Sequence, residues 1–299
     1  VATRQDVLAL LDHVLDRTDA SQAEALYMGQ DSALTRFATN QIHQNVREHD
    51  ASVQVRVIDA SDRIGVASTN RLDEGGIADV VARAEAIAAR SAPNPRSAIL
   101  PQSDDAVHDP ELGFVRATAE AGADLRADGA RAVIAAGMAK GLETSGSFST
   151  GEMTIAVANS KGVRRLHRST RASLLTVMMD GFASGAASGY AHAGSTDIAD
   201  IDAAAIGAEA ADKGDRMRGA TALDPGEYEV ILEEYAVGGL LEYLSYIGFS
   251  GLAHEEGRSF MDLGNRAMGA TASLWAPAPD PSAPPAPIAF EGAPPHPPP

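Results

Sequence analysis

Residues 52–57 read Ser-Val-Gln-Val-Arg-Val, and a chain built from such runs has few folds open to it. With a side-chain period of two, the three valines share one face and the polar residues the other, as in a strand buried on one side only. Asp59-Ala60-Ser61-Asp62 supplies a turn, and residues 63–68 return as a partner strand. Short apolar-polar alternations of this kind fill residues 23–69. They return over residues 142–193, including 153–158 and 173–178. Between them the apolar spacing becomes helical. Val7, Leu8, Leu11, Val14 and Leu15 mark a helix over residues 4–17, and Ile77, Val80, Val81, Ala84 and Ile87 mark another over residues 77–90. Asp109-Pro110-Glu111 has the form of a helix start, with a capping carboxylate and a proline in the first turn. That zone runs to residue 139, with Gly122, Gly129 and Gly137 as breaks, and a further helix covers residues 199–217. Amphipathic helices interleaved with antiparallel β meanders predict an α+β fold; strict βαβ alternation would have meant a parallel sheet. No internal repeat recurs at solenoid spacing.

Composition narrows the function classes. With 299 residues, 44% of them apolar, the chain can bury a sizeable core, and aromatics at 5% mean that core is built from small side chains. No apolar run reaches the roughly 18 residues of a membrane-spanning helix. The N-terminal stretch is amphipathic and acidic, unlike an export signal, so a soluble, cytoplasmic protein without membrane contact is expected. The absence of cysteine excludes disulfides and thiolate metal sites. A net charge of −17 argues against a nucleic-acid surface, which depends on clustered Lys and Arg. The densest basic cluster, Arg164, Arg165, His167, Arg168 and Arg171, is therefore read as a solvated strand edge. Four regions follow: an N-terminal α+β domain over residues 1–100, a middle helix and antiparallel sheet over 101–222, the start of a C-terminal domain over 223–275, and a proline-rich tail over 276–299. Pro93-Asn94-Pro95 and Pro101 mark the first linker. Eleven of the sixteen prolines fall in the tail, which removes backbone donors and favours disorder.

Most chemical motifs fail on spacing. His254-Glu255 suggests a helical zinc motif, but a second histidine would have to stand where Arg258 and Ser259 are. No two histidines are separated by three or four residues; the nearest pair, His43 and His49, is expected to flank a strand bend. Gly248-Phe249-Ser250-Gly251 and Gly146-Ser147-Phe148-Ser149-Thr150-Gly151 miss the spacing of a nucleophile elbow. Gly181, Gly185 and Gly189 precede no Gly-Lys-Ser/Thr, so no phosphate loop is supported. Asp104, Asp105, His108 and Asp109 read as a surface loop bracketed by prolines. Asp197, Asp200 and Asp202 read as the acidic start of a helix, since a calcium loop would need a spaced glycine and a terminal Glu. A metal site assembled from distant residues stays open.

Four segments carry a resemblance. They are Arg36-Phe37-Ala38-Thr39-Asn40-Gln41-Ile42-His43-Gln44-Asn45, then Ala158-Asn159-Ser160-Lys161-Gly162, then Pro225-Gly226-Glu227-Tyr228-Glu229-Val230-Ile231-Leu232, and finally Glu256-Gly257-Arg258-Ser259-Phe260. In this order, over most of residues 1–275, the chain resembles the TldD/PmbA family, the so-called modulators of DNA gyrase. In the metal-bearing branch of that family, a helix after a strand carries His-Glu-x-x-x-His behind an apolar pair. The matching stretch here is a strand over residues 228–232 and a helix over 235–247, with Leu240-Leu241 as the pair. The first histidine is then Glu242, the general base Tyr243 and the second histidine Ile247. Zinc needs neutral imidazoles and its bound water needs a base, and the family's downstream cysteine ligand is missing too. The resemblance implies the PmbA (TldE) type: no metal bound by this chain, zinc in a TldD-type partner subunit, and a heterodimer that handles unfolded peptides such as modified-peptide precursors or labile antitoxins. It also implies His254, Glu255 and Arg258 as residues lining the substrate cleft, no catalytic residue in this chain, and a C-terminal β domain that is incomplete. The alternative is a stand-alone peptide-binding module or a non-functional truncated remnant.

Overall fold

The computed structural model describes residues 3–94, 99–103, 109–181 and 186–261. Asp104, Asp105, His108, Gly185 and the stretch 276–299 lie outside the described residues. Residues up to Ala220 form one compact unit, and residues from Thr221 group as a second.

The first unit opens with helix α1 (Arg4–Leu15), whose apolar stripe buries Val7, Leu11 and Val14 as the spacing predicts. Thr3 and Asp6 close a capping box: the Asp6 amide donates to the Thr3 hydroxyl, and the Thr3 amide to the Asp6 carboxylate. Strands β1 (Gln22–Ala38) and β2 (Gln41–Ile58) follow as a hairpin, closed by Thr39 and Asn40 in left-handed conformation at φ 46° and 62°. Asn40 is also tied down, its side-chain oxygen accepting from the Thr144 amide at 2.8 Å. The turn at residues 59–62 is built by Asp59, whose carboxylate accepts from the amides of Ser61 and Arg63. It leads to β3 (Ile64–Thr69) and then to helix α2 (Glu74–Ala88), capped by Asp73. After the one-turn helix α3 (Arg116–Ala119) come α4 (Ala123–Ala139), β4 (Glu143–Asn159), β5 (Arg164–Met179), β6 (Ser188–Ser195) and α5 (Ala203–Met217). The Asp202 carboxylate caps α5 by accepting from the Ala204 and Ala205 amides, and Asp197 caps a short turn before it, in line with the acidic helix start expected there. No helix among the described residues is long and apolar enough to cross a membrane.

Two expectations are corrected. Asp109-Pro110-Glu111 does not start a helix. The Asp109 carboxylate accepts from the Glu111 amide in a tight turn, and the chain then lies along β5, with the Arg168 amide donating to Pro110 and the Thr170 amide to Gly113. The same triplet suits a cap or a turn, and the open edge of β5 decides between them. The short alternations of residues 23–58 are instead two long strands. Their polar midsections continue because backbone hydrogen bonds ignore side-chain polarity. His43 is the extra residue of a bulge, since Arg36 pairs with Gln44 and Phe37 with Ile42.

The six strands of the described residues form one antiparallel sheet in the order β3-β2-β1-β4-β5-β6, which crosses the boundary expected near residue 100. A strand of 17 residues is about 55 Å long, whereas α1, α2, α4 and α5 are about 18–26 Å. Two helix pairs therefore fit end to end over the same strands. One core joins α1 and α2 to Ala23, Ala25, Tyr27, Val53, Val55 and Val57. The other joins α4 and α5 to Phe37, Phe148, Leu174 and Met178. Alternation along β1 puts Ala23, Tyr27 and Phe37 on one face, so both helix pairs cover the same side.

The strand order reads the same from either edge, and the registers place the halves in correspondence. Adding 121 to a residue of β1 or β2 gives its counterpart in β4 or β5, so buried Tyr27 matches buried Phe148. The outer strands correspond as well, at an offset of 124. Gly65 of β3 presses on α2, where a Cβ would lie 2.0 Å from the Ala84 carbonyl oxygen. Gly189 of β6 presses on α5 at the same 2.0 Å from the Ala210 carbonyl oxygen.

Candidate functional site

Between the two cores the helix-covered face of the sheet turns polar. At its centre Asp31 of β1 stands directly opposite Glu152 of β4, and these two residues are counterparts, so they sit on the approximate two-fold axis between the halves. Their flanking partners are counterparts too. Arg47 of β2 grips Asp31 bidentately, Nε to Oδ1 and Nη2 to Oδ2, both at 2.9 Å. Arg168 of β5 donates from Nη2 to Glu152 at 3.2 Å and from Nη1 to Glu111 at 3.2 Å, with its guanidinium carbon 4.2 Å from the centre of the Phe114 ring. Like charges directly across a sheet repel; the outer arginines offset that repulsion. The Arg47 hydrogen bonds hold the Asp31 carboxyl below the ordinary range, against the opposing effect of burial.

A cleft of about 480 Å³ opens over this quartet. Its wall is the segment through α3, with Phe114, Arg116, Ala119 and Glu120, where Arg116 and Glu120 face each other at 3.8 Å. One row further along the sheet lies Arg126 of α4, only 3% exposed. Its guanidinium donates to the Ala121 carbonyl and the Thr150 hydroxyl at 2.9 Å and to the Asn45 side chain at 3.4 Å. Burial, and then the neighbouring charge of Arg47, push its pKa below the ordinary value.

The basic cluster of β5 is divided by the strand's alternation. Arg164 turns to α1, donating from Nε to Asp12 at 2.5 Å, and Arg168 enters the quartet; Arg165, His167 and Arg171 have the opposite parity. Over residues 164–171 β5 has no strand neighbour on one side among the described strands, because β6 pairs only from Ala172 onward, but the turn at residues 110–113 covers part of that edge.

The residues singled out by sequence lie in the second unit. Residues 228–232 form no strand: no described strand runs beside them, and Ile231 is 99% exposed. A strand exists only through a partner's hydrogen bonds, so apolar alternation alone does not create one. Helix α6 (Glu234–Ile247) is present and carries Glu242, Tyr243 and Ile247; none of its residues is buried, and Tyr243 is 74% exposed. His254 and Glu255 end the short helix α7 (Gly251–Glu255), and the Arg258 guanidinium beyond it is bonded to Glu256. Among the described residues no group of three or more His, Cys, Asp and Glu stands where it could hold one metal ion. The charge quartet is the feature that sequence reasoning missed. Its signal is an acid and a base at the core-facing parity of each of two hairpins, visible once the register is known.

A six-stranded antiparallel sheet with two helix pairs on one face defines an α+β protein. Residues 23–88 match the PmbA/TldA metallopeptidase domain 1 and residues 114–218 the PmbA/TldA metallopeptidase central domain, together more than half of the chain. The chain belongs to the PmbA/TldD family. Solved structures share the fold. TldE from Thermococcus kodakarensis is 15% identical with a TM-score of 0.61, the match covering 69% of this chain and 46% of that one. Two proteins named as modulators of DNA gyrase are also similar. The one from Thermotoga maritima is 12% identical, with a TM-score of 0.62 over 73% of this chain and 50% of that one. The one from Bacteroides thetaiotaomicron is 19% identical, with a TM-score of 0.74 over 87% and 60%. The chain thus spans about half the length of these structures. No curated protein matches it.

Proposed function

We propose that this chain is the metal-free, PmbA-type subunit of a cytoplasmic peptidase complex, binding unfolded peptide while a TldD-type partner supplies zinc. The observation that carries the reading is the content of α6. Behind Leu240-Leu241 it offers Glu242, Tyr243 and Ile247 where two imidazoles and a carboxylate base are needed. A hydrocarbon at position 247 donates no electron pair, and a phenol at 243 is a poor base at neutral pH. These residues do not fit a zinc ion.

Peptide binding is supported by the sheet. β2 pairs with β3 only over Val53–Ile58, so among the described strands its residues 41–52 have a neighbour on one side alone. An extended peptide can add to such an edge through main-chain hydrogen bonds. The test is peptide cleavage by the chain alone and after mixing with a TldD-type subunit, together with the zinc content of the purified chain. Cleavage only in the mixture is the expected result. One tightly held zinc per chain, or a monomer that leaves the partner's activity unchanged, overturns the reading.

A further inference from the structure

The floor of the cleft breaks a pattern that β1 and β4 otherwise keep. On the helix-covered face β1 and β4 carry only uncharged residues in both cores, yet the pair at the very centre is Asp31 opposite Glu152. An apolar pair there would join the two cores into one. Local conflicts of this kind concentrate at functional sites.

The carboxylates of the cleft keep acceptor capacity to spare, although the buried Arg168 Nε has no partner among the described residues. Arg47 occupies both oxygens of Asp31. Arg168 divides its two Nη groups between Glu152 and Glu111 and lies against Phe114. Among the described residues Glu152 accepts through Oε2 and Glu111 through Oε1, leaving acceptor capacity on both. The lining holds four carboxylates against three guanidiniums, a deficit of one positive charge. A charged group with several N–H donors suits the open carboxylate oxygens, and an ammonium has three. A volume of about 480 Å³ exceeds what a bare ammonium needs and leaves room for the residues attached to it beside Phe114 and Ala119.

We infer that this cleft receives an organic ammonium, the amino terminus of a peptide, seated between Glu152 and Glu111. The inference needs only this chain and does not rest on its pairing with a zinc subunit. It is tested by calorimetric titration of the full 299-residue chain with trialanine amide, N-acetyl-trialanine amide and putrescine, and by repeating the first titration on Glu152→Gln. Trialanine amide is expected to bind saturably. N-acetylation and Glu152→Gln are each expected to weaken it about tenfold, the loss of one charge-assisted hydrogen bond, and putrescine binds more weakly than the peptide. If Glu152→Gln fails to fold by circular dichroism, Glu111→Gln on the exposed turn replaces it with the same expected loss. Equal binding of the acetylated peptide, no saturable binding at millimolar peptide, or putrescine binding as tightly as trialanine amide overturns the inference. Cleavage in the two-subunit mixture can succeed or fail whichever way these titrations fall, so the two proposals are separable.

Discussion

Gly65→Ala and Gly189→Ala test the two-fold correspondence and the close packing behind it. A methyl group at Gly65 would lie 2.0 Å from the Ala84 carbonyl oxygen and 2.5 Å from the Ala88 amide nitrogen; at Gly189 it meets Ala210 and Gly214 at the same two distances. Both obstacles are helix backbone, which cannot rotate away as a side chain can. Each helix must back off by about 1 Å, loosening Val80, Val81 and Ala84 in one core and Ile206, Ala210 and Ala211 in the other. Overpacking costs about 1–3 kcal/mol, and backbone contacts put both sites at the upper end of that range. For a domain of this size a kcal/mol moves Tm by about 2–4 °C, so each variant should melt about 4–12 °C below the parent. Because β1, β2, β4 and β5 run through both cores, either substitution should move the same sheet transition in a circular dichroism melt. The double variant should fall by roughly the sum, since the two glycines share no neighbours. A shift under about 1 °C for either single variant, or a sheet signal that splits into two transitions, would refute the reasoning.

Other outcomes follow from single residues. Thr39→Gly should raise the unfolding free energy measured in urea by about 0.5–1 kcal/mol, because relief of a left-handed β-branched residue exceeds the chain entropy glycine adds. Asp202→Ala should lower that free energy by about 0.5–2 kcal/mol through loss of the α5 cap. Asp31→Asn should destabilise the protein at neutral pH but much less in acid. The folded-state pKa of Asp31 is depressed, so its contribution is present above the unfolded carboxylate range and is lost as pH falls through the lower folded value. Urea midpoints of parent and variant that stay equally far apart at pH 7 and at about pH 3 would contradict this assignment.

Much of the fold was legible because it is written locally. Helices α1 and α2, the valine run of β2 and its turn into β3, and α5 each carry their own periodicity and cap. Residues 109–111 were misread because an Asp-Pro-Glu triplet satisfies a helix cap and a turn equally, and β5, more than fifty residues away, chooses. Residues 228–232 were misread because their backbone needs a neighbour that no described strand provides. The family signature pointed to α6, where local motif reading works. It could not reach Asp31, Arg47, Glu152 and Arg168, which share a site only through three strand registers.

The two-fold arrangement explains why that site is charged at all. An antiparallel pair on an internal axis brings corresponding positions face to face, so whatever chemistry both halves carry there meets its own kind. Acid meets acid at Asp31 and Glu152, and the arrangement survives because each half also brings an arginine, Arg47 and Arg168, on the outer flank. A strictly symmetric quartet would be closed, every carboxylate gripped as tightly as Asp31. The second half departs from symmetry at one point: the turn at residues 110–113 delivers Glu111 and then Phe114 to Arg168, which draws that guanidinium partly away from Glu152. The opening in the quartet thus comes from the connection between the halves, and that same connection, continuing into α3, forms the wall of the cleft above it.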